Sequence, residues 1–238
     1  MLQPAAFPPL LDSAVDALPF GLLGALLGLD VVSFPQAMVS RPLVASTLAG
    51  ALVGEPLAGL MIGAALECFA LETLPFGASR YPEWGSAAVV GGALFASRPD
   101  DMPGAMATSV VAALATAWVG SFTMVWLRRL NARWARARLA ALQRGSYRTV
   151  VSLQVAGLTM DVVRGFLLTW IMLLLARPAV SAALVHWAGP SQVSRAVVVG
   201  AAATVAAGAG WKVIHGMAGA RWFFFGGVAA GLVILALR

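Results

Sequence analysis

The sequence predicts an all-α polytopic membrane protein with about six full spans and two short re-entrant or half-span helices. Of the 238 residues, 60% are hydrophobic and only 11% are charged, whereas soluble domains carry about 25% charged residues. The mean hydropathy is +0.86. This composition excludes a secreted soluble domain and a nucleic-acid-binding domain. The single cysteine, Cys68, excludes an intrachain disulfide and a cysteine-based metal site, and we interpret it as a small apolar residue in a helix.

The first apolar segments predict one span and one half-span. Residues 1–13 are rich in proline and predict an exposed or interfacial leader, without the charged start of a secretory signal, because the first basic residue is Arg41. A span is predicted over 14–34, with Asp30 near its end. The next apolar core, 43–53, is shorter than the roughly 20 residues that cross a bilayer. It predicts a re-entrant helix, with a short buried helix as the alternative.

The stretch 55–85 carries the strongest functional signal. It begins as a full apolar span in which Gly59 and Gly63 are four residues apart, the spacing that lets helices approach closely in membranes. Glu67 follows one turn later and is expected on the glycine face, directed at protein. Broken backbone is predicted from Pro75 onward. An acid in an apolar helix that is followed by broken backbone is typical of transporter sites.

The remainder of the chain predicts one more short helix and four more spans. The short apolar piece ends in a loop with prolines and acids, which begins at Arg98. The predicted short helix covers residues 84–97, and the four predicted spans cover 104–127, 150–176, 193–214 and 221–237. The aromatic run that begins at Trp222 is typical of a membrane interface.

A basic connector (residues 128–149) separates the third and fourth of the predicted spans. No acid occurs between Asp101 and Asp161, so the positive-inside rule predicts that the connector is cytoplasmic. Its apolar residues recur at helical spacing, which favours a helix along the membrane surface. A plain topology signal is the first interpretation and specific binding of anionic lipid is the second. Seven of the sixteen Lys and Arg residues lie here: Arg128, Arg129, Arg133, Arg136, Arg138, Arg144 and Arg148.

Alternating the spans from this connector places Lys212 and Arg221 on the inside and both termini outside. The span at 150–176 contains Asp161 and Arg164, three residues apart on one helical face. A single charge in mid-membrane costs roughly 2.5–3.5 kcal/mol on insertion scales. The two are therefore predicted to form an ion pair that faces a neighbouring helix. A structural pair is the first interpretation and a mobile coupling pair is the alternative.

The sequence offers no catalytic constellation of a soluble enzyme. It contains no glycine-rich nucleotide motif and no phosphate-binding loop. His186 and His215 are the only histidines, which rules out an HExxH metal pair. We therefore expect no metal and no cofactor, and a protein that moves or binds something.

Several motifs carry a family resemblance. SRPLVASTLAGALVGEPLAGLMIGAALECFAL at 40–71, then GAS at 77–79 and Pro82-Glu83, are similar in spacing to the IIC subunit of the mannose/fructose/sorbose family of the bacterial phosphotransferase system. The later segments LRRLNARWARARLAALQRG, LQVAGLTMDVVRGFLLT and ARWFFFGGVAAG resemble that family in the same order. The resemblance covers roughly residues 20–235.

The resemblance implies a channel subunit in the bacterial inner membrane. Such a subunit pairs with a IID membrane subunit, assembles as oligomers of that pair, and carries a hexose-type sugar inward. Cytoplasmic IIA and IIB proteins hold the phosphorylated histidines, so this chain would not itself transfer phosphate. Three departures stand out: Glu72 replaces the usual glycine, Glu83 the usual aspartate, and Arg80 an apolar residue. A diverged scaffold or sensor without transport is therefore the alternative function.

On this interpretation the chain divides into four parts: a leader (1–13), a transport-site half (14–127), the basic connector (128–149) and C-terminal membrane helices (150–238).

Glu67 is expected to be the main sugar contact, because an ionised carboxylate accepts hydrogen bonds from adjacent hydroxyls. Glu72 lies about 140° further round the helix, so the two acids should not act as a pair. The alternative for Glu67 is a structural acid paired with Arg41 or Arg164. The predicted substrate-binding residues are Glu67, Ser79, Arg80, Glu83, Glu72 and Arg41.

Overall fold

The protein is an assembly of helices that differ greatly in length. The computed structural model describes residues 14–30, 33, 35–73, 80–98 and 102–237, and these residues form no strand. The all-α class is therefore confirmed. The helices are α1 (Leu18–Asp30), α2 (Pro42–Leu52), α3 (Pro56–Ala70), α4 (Trp84–Ala96), α5 (Ala105–Ala137), α6 (Leu139–Gln143), α7 (Tyr147–Val185), α8 (Ser191–Ile214) and α9 (Ala220–Ala236). The predicted leader and Ser79 lie outside the described residues.

Helix α4 lies at the centre of the fold. Every one of its 13 residues except Trp84 is buried, and it packs against α1, α2, α3, α5 and α7. Its sequence is dominated by glycine, alanine and valine, and these small side chains let the neighbouring backbones come close. A Cβ atom on Gly92, for example, would lie 2.7 Å from the carbonyl oxygen of Ser46 in α2.

Helices α2 and α3 form a tight antiparallel hairpin, in which the glycines of α3 make the close helix contact that their spacing predicted. Gly54, with φ of +87°, makes the turn between them, a conformation that glycine adopts without strain. A Cβ on Gly50 would lie 2.9 Å from the Cα of Gly59, and a Cβ on Gly63 would lie 2.9 Å from the carbonyl oxygen of Pro42. The small residues therefore allow contact between the two backbones.

A side chain at Gly59 is expected to separate the hairpin. In Gly59→Val the new Cβ would meet the carbonyl oxygen of Ser46 at 2.3 Å, and overpacking of this kind costs about 1–3 kcal/mol or more. We expect a lower melting temperature in detergent and less protein in the membrane. Gly208→Val is the matched control, because nothing lies within 4 Å of that position. Equal stability of the two variants would contradict the close packing of α2 on α3.

Three of the six predicted spans form long helices in the described part of the chain, and the other three form shorter apolar helices. Among the described residues, three helices are long and apolar enough to cross a membrane: α5, α7 and α8. The shorter helices are α1, α3 and α9, which have 13, 15 and 17 residues. At 1.5 Å per residue α3 is only about 22 Å long. Helix α3 ends at Ala70, where a turn follows, although apolar residues continue beyond that end in the sequence.

The basic connector is not a separate surface helix. Helix α5 continues without interruption through Arg128 and Arg136 to Ala137, and α7 begins at Tyr147 after the five-residue helix α6. Helices α5 and α7 have 33 and 39 residues, about 50 and 58 Å, which exceeds a hydrocarbon core of about 30 Å. They pack side by side. The arginines therefore belong to the projecting end of a long helical hairpin.

Labelling from the two sides of the membrane tests the orientation of this hairpin. Single cysteines at Arg136 or Arg144, in a Cys68→Ser background, should resist an impermeant thiol reagent added to intact cells. The same cysteines should react in inverted vesicles, because positive charge is retained on the cytoplasmic side. Reaction in intact cells would reverse the predicted topology.

Candidate functional site

Helix α4 begins halfway along the apolar part of α5. The backbone N–H of Glu83, the residue before α4, donates to the carbonyl oxygen of Ala117 at 3.1 Å. Ala117 is about midway between Ala105, where α5 begins, and Leu127, the last residue before the arginines. Irregular backbone at this depth is tolerated only where protein or a wet cavity surrounds it. The residues 80–83 that precede α4 therefore mark the interior layer in which a site can form.

Glu67 makes an ion pair with Arg41 at the base of the α2–α3 hairpin. The Nε atom of Arg41 donates to Oε1 of Glu67 at 2.6 Å, and Nη2 approaches the same oxygen. The backbone N–H of Leu43, in the first turn of α2, donates to Oε2 at 3.1 Å. Glu67 thus lies on the glycine face of α3, as the spacing predicted, and of its two predicted structural partners Arg41 is the one that pairs with it.

This ion pair remains accessible. The side chains of Arg41 and Glu67 are 25% and 24% exposed. Oε2 of Glu67 accepts one hydrogen bond from the described residues, and a carboxylate oxygen can accept two. The pair therefore retains capacity for both donation and acceptance toward a ligand.

Glu72 and Arg80 line a different place, a cavity of about 420 Å³ between the end of α3, α5 and α8. Glu72 forms an ion pair with Lys212 of α8, and the guanidinium of Arg80 lies 4.6 Å from the ring centroid of Phe122. The wall of this cavity is rich in aromatic side chains: Phe69, Tyr81, Trp84 and Trp118. Glu72 lies beyond Ala70, where α3 ends, and Glu67 and Glu72 have separate partners, so the two acids do not form a pair, as predicted.

Glu83 belongs to a third, buried group. It is 1% exposed and caps α4 by accepting from the backbone N–H of Ser86 at 3.0 Å. A Cβ on Gly28 of α1 would lie 3.6 Å from Oε1 of Glu83 and 3.4 Å from Nη2 of Arg164. The acid and the arginine therefore flank the same glycine, and the positive guanidinium is the nearest counter-charge that we identify for Glu83.

Arg164 and Asp161 form the predicted ion pair within this group. Nε of Arg164 donates to Oδ1 of Asp161 at 2.9 Å, and both residues are buried. Ser33 donates to Oδ2 of Asp161 at 2.7 Å, and Nη1 of Arg164 lies 3.4 Å from the hydroxyl of Thr123 in α5. The pair thus joins α7 to the end of α1 and to α5.

The structure distributes the predicted site residues among these three places. Arg41 and Glu67 form an ion pair, and Glu72 and Arg80 line one cavity. Glu83 lies beside the Asp161–Arg164 ion pair, which the sequence analysis treated as a separate feature. Sequence reasoning missed the group at Glu83. The spacing of Gly24 and Gly28 could have indicated it, because two glycines four residues apart on α1 mark close packing against another helix.

The fold and the site define a class: an all-α membrane protein with short interior helices whose ends meet charged residues away from the surface. The chain matches the family model described as the sorbose-specific IIC component of the phosphotransferase system over residues 14–235. It therefore belongs to that IIC family.

Two solved structures share the fold. One, described as a membrane protein, has a TM-score of 0.71 and 21% identity, covering 94% of this chain and 92% of its own. The other, the mannose transporter ManYZ in complex with microcin E492, has a TM-score of 0.60 and 20% identity, covering 94% and 91%. No curated protein matched the sequence.

Proposed function

We propose that the chain is the IIC subunit of a phosphoenolpyruvate-dependent phosphotransferase system, and that it carries a hexose-type sugar across the bacterial inner membrane with a IID partner. The observation that carries this proposal is the accessible Arg41–Glu67 pair at the start of the short helix α2. Membership of the IIC family supports it. Cytoplasmic IIA and IIB proteins would supply phosphate.

The chemistry of the pair suits a sugar. Each hydroxyl of a hexose is both a donor and an acceptor, and an arginine beside a carboxylate offers both complements in one place. The first turn of α2 adds the positive end of a helix dipole, and the backbone N–H of Leu43 in that turn donates to the carboxylate of Glu67, a group that accepts strongly from hydroxyl donors. Glu67 is accordingly the proposed main contact, with Arg41 as its donor partner.

The cavity with Glu72 and Arg80 is the proposed continuation of this site. Its volume of about 420 Å³ is in the range of ligand pockets. Its aromatic walls suit the apolar faces of a sugar ring, and Arg80 and Ser121 supply polar contacts. Ser79, which lies outside the described residues, is proposed as a neighbour by sequence alone. Glu83 is enclosed in this conformation, and we assign it to holding α4 on α7.

The exposed helices support the IID partner. In α9 only Ala220 is buried, and in α8 only Ser194, Val198, Ala202 and Ala209 are buried, so both helices present long apolar surfaces. Lipid covers part of such a surface, and a second membrane subunit fits the remainder. The structure of the mannose transporter ManYZ, which this fold resembles, is of its complex with microcin E492, and the IID partner of this chain is proposed from its membership of the IIC family. We propose oligomers of the IIC–IID pair because the same exposed apolar surfaces can also contact further subunits.

Hexose uptake in living cells tests the proposal. The host should lack its own membrane subunits of this family and retain the cytoplasmic IIA and IIB proteins. We expect uptake of at least one aldo- or ketohexose when this chain is expressed with a IID-type subunit from the same genome, and none with either subunit alone. A complex that forms in normal amounts without transporting any hexose would favour the scaffold or sensor alternative.

A further inference from the structure

A separate polar cavity opens beside the basic connector. It has a volume of about 380 Å³ and lies between α5 and α7 near the end of α1. Its polar wall consists of Ser33, Arg128, Asn131, Gln154 and Asp161, and Trp134 provides an aromatic surface. Neither Glu67 nor Glu72 belongs to this wall. This is therefore a second place for a ligand, at the connector end of the helical hairpin.

A side-chain contact joins the wall of this cavity to the wall of the cavity that holds Glu72 and Arg80. Tyr81 lines the cavity of Glu72, Arg128 lines the connector-end cavity, and the guanidinium of Arg128 lies 4.9 Å from the centroid of the Tyr81 ring. The two cavities are thus neighbours along α5. A ligand that leaves the first would reach the second by passing this contact.

The wall of the connector-end cavity matches a neutral ligand with many hydroxyl groups. The side-chain oxygen of Asn131 is buried and accepts no hydrogen bond from the described residues, and such a group calls for a partner. Two amide side chains, Asn131 and Gln154, offer both donors and acceptors. Gly157 lies directly beside Asn131, since a Cβ there would lie 3.5 Å from its amide nitrogen, so a larger side chain at this position would enter the cavity.

An anionic ligand, such as a lipid phosphate, fits this wall less well. Asp161 places a carboxylate in the wall, where it is paired with Arg164, and the one cation of the described wall, Arg128, lies over the ring of Tyr81. A like charge placed against a ligand is the means by which sites reject it. A neutral sugar meets no such repulsion, and the ring of Trp134 provides a flat apolar surface for it.

We propose that this cavity is a second hexose subsite, which holds the sugar at the cytoplasmic end after it leaves the interior site. The inference rests on the proposed function and on the predicted cytoplasmic position of the connector. Here the sugar is within reach of the phosphorylated histidine of a cytoplasmic IIB protein. A sugar hydroxyl oxygen forms the new O–P bond as the N–P bond of that histidine breaks, and the hydroxyl proton passes to the imidazole that is freed, so the sugar is phosphorylated before release. Asn131 and Gln154 hold the hydroxyls, and Trp134 holds the ring.

Binding measured on the full-length chain with its IID-type partner in lipid nanodiscs tests the subsite. The probe is the radiolabelled hexose that the uptake assay identifies. Wild type should bind two sugars per chain, and Glu67→Gln should retain one. Gly157→Leu, which fills the space beside Asn131, should also retain one. Adding Asn131→Ala to Glu67→Gln should weaken the remaining binding roughly tenfold, as the loss of hydrogen bonds predicts.

The matched control is Thr159→Leu, an exposed position on the same helix and outside the cavity wall, which should bind two sugars. The subsite is overturned if Glu67→Gln abolishes all binding, or if Gly157→Leu binds two sugars. It is also overturned if inorganic phosphate displaces the sugar that Glu67→Gln retains, since the cavity would then be an anion site. Each of these results leaves the proposed function intact. Failure of the wild-type complex to transport any hexose is the separate result that removes the proposed function.

Discussion

Glu67→Gln is expected to reduce hexose uptake by roughly 10- to 100-fold while the amount of chain in the membrane stays unchanged. The substitution keeps the size of the side chain and removes the charge. Hydrogen bonds to a charged group contribute about 1.5–3 kcal/mol, and every 1.4 kcal/mol is about tenfold in binding. The amide oxygen still accepts from Arg41, so the hairpin of α2 and α3 should remain folded. Uptake of radiolabelled hexose and immunoblotting of membranes measure the two quantities.

Glu55→Gln is the matched control for this prediction. Glu55 precedes α3 at the opposite end of the hairpin, is exposed, and makes no capping hydrogen bond with its side chain. It should transport like the wild type. Normal uptake by Glu67→Gln would remove its role as sugar contact. A large fall in its membrane abundance would assign Glu67 to the stability of the hairpin instead.

Arg164→Leu is expected to prevent the chain from accumulating. Its guanidinium pairs with Asp161 and approaches Thr123. Gly28 of α1 lies next to both this guanidinium and the carboxylate of Glu83. Its loss leaves two buried acids without this counter-charge. Breaking one buried pair costs about 3–5 kcal/mol, which is a large share of the 5–15 kcal/mol that stabilises a typical domain. We expect little full-length protein in membranes, and rapid proteolysis of what is made.

Arg148→Leu serves as the control on the same helix, because Arg148 is exposed in the first turn of α7. It should accumulate normally. If Arg164→Leu also accumulates normally and melts at the same temperature as the wild type, the buried group at Glu83 does not hold α1, α4 and α7 together. Normal accumulation with lost uptake would instead favour the mobile coupling pair.

Features that depend on local helix geometry could be predicted from the sequence. The four-residue spacing of Gly59, Gly63 and Glu67 fixes one face of a helix, and α3 indeed presents all three toward α2. The short helix α4 was predicted from the length of its apolar run. The end of the apolar part of α5 was marked by the first arginines. In each case the residues that carry the signal lie within a few turns of one another.

Features that depend on distant segments could not be predicted. Glu83 and Arg164 are separated by 81 positions in the sequence, and no periodicity links them. The connector was expected on the membrane surface because its apolar residues recur at helical spacing among the arginines. Arginine, alanine and leucine are good helix formers, however, and α5 simply continues through them. The lengths of the shorter helices could not be predicted for a related reason: an apolar run does not reveal where α3 ends inside the fold.

Reconstituted transport tests the central claim most directly. The chain and a IID-type subunit are placed in liposomes that contain IIA, IIB, the general phosphate-transfer proteins and phosphoenolpyruvate, and radiolabelled hexose is added outside. The account predicts that labelled sugar phosphate accumulates inside, and that no accumulation occurs when this chain, the IID-type subunit or phosphoenolpyruvate is left out. Accumulation of sugar phosphate in liposomes that lack this chain would contradict the account, as would its absence from the complete system.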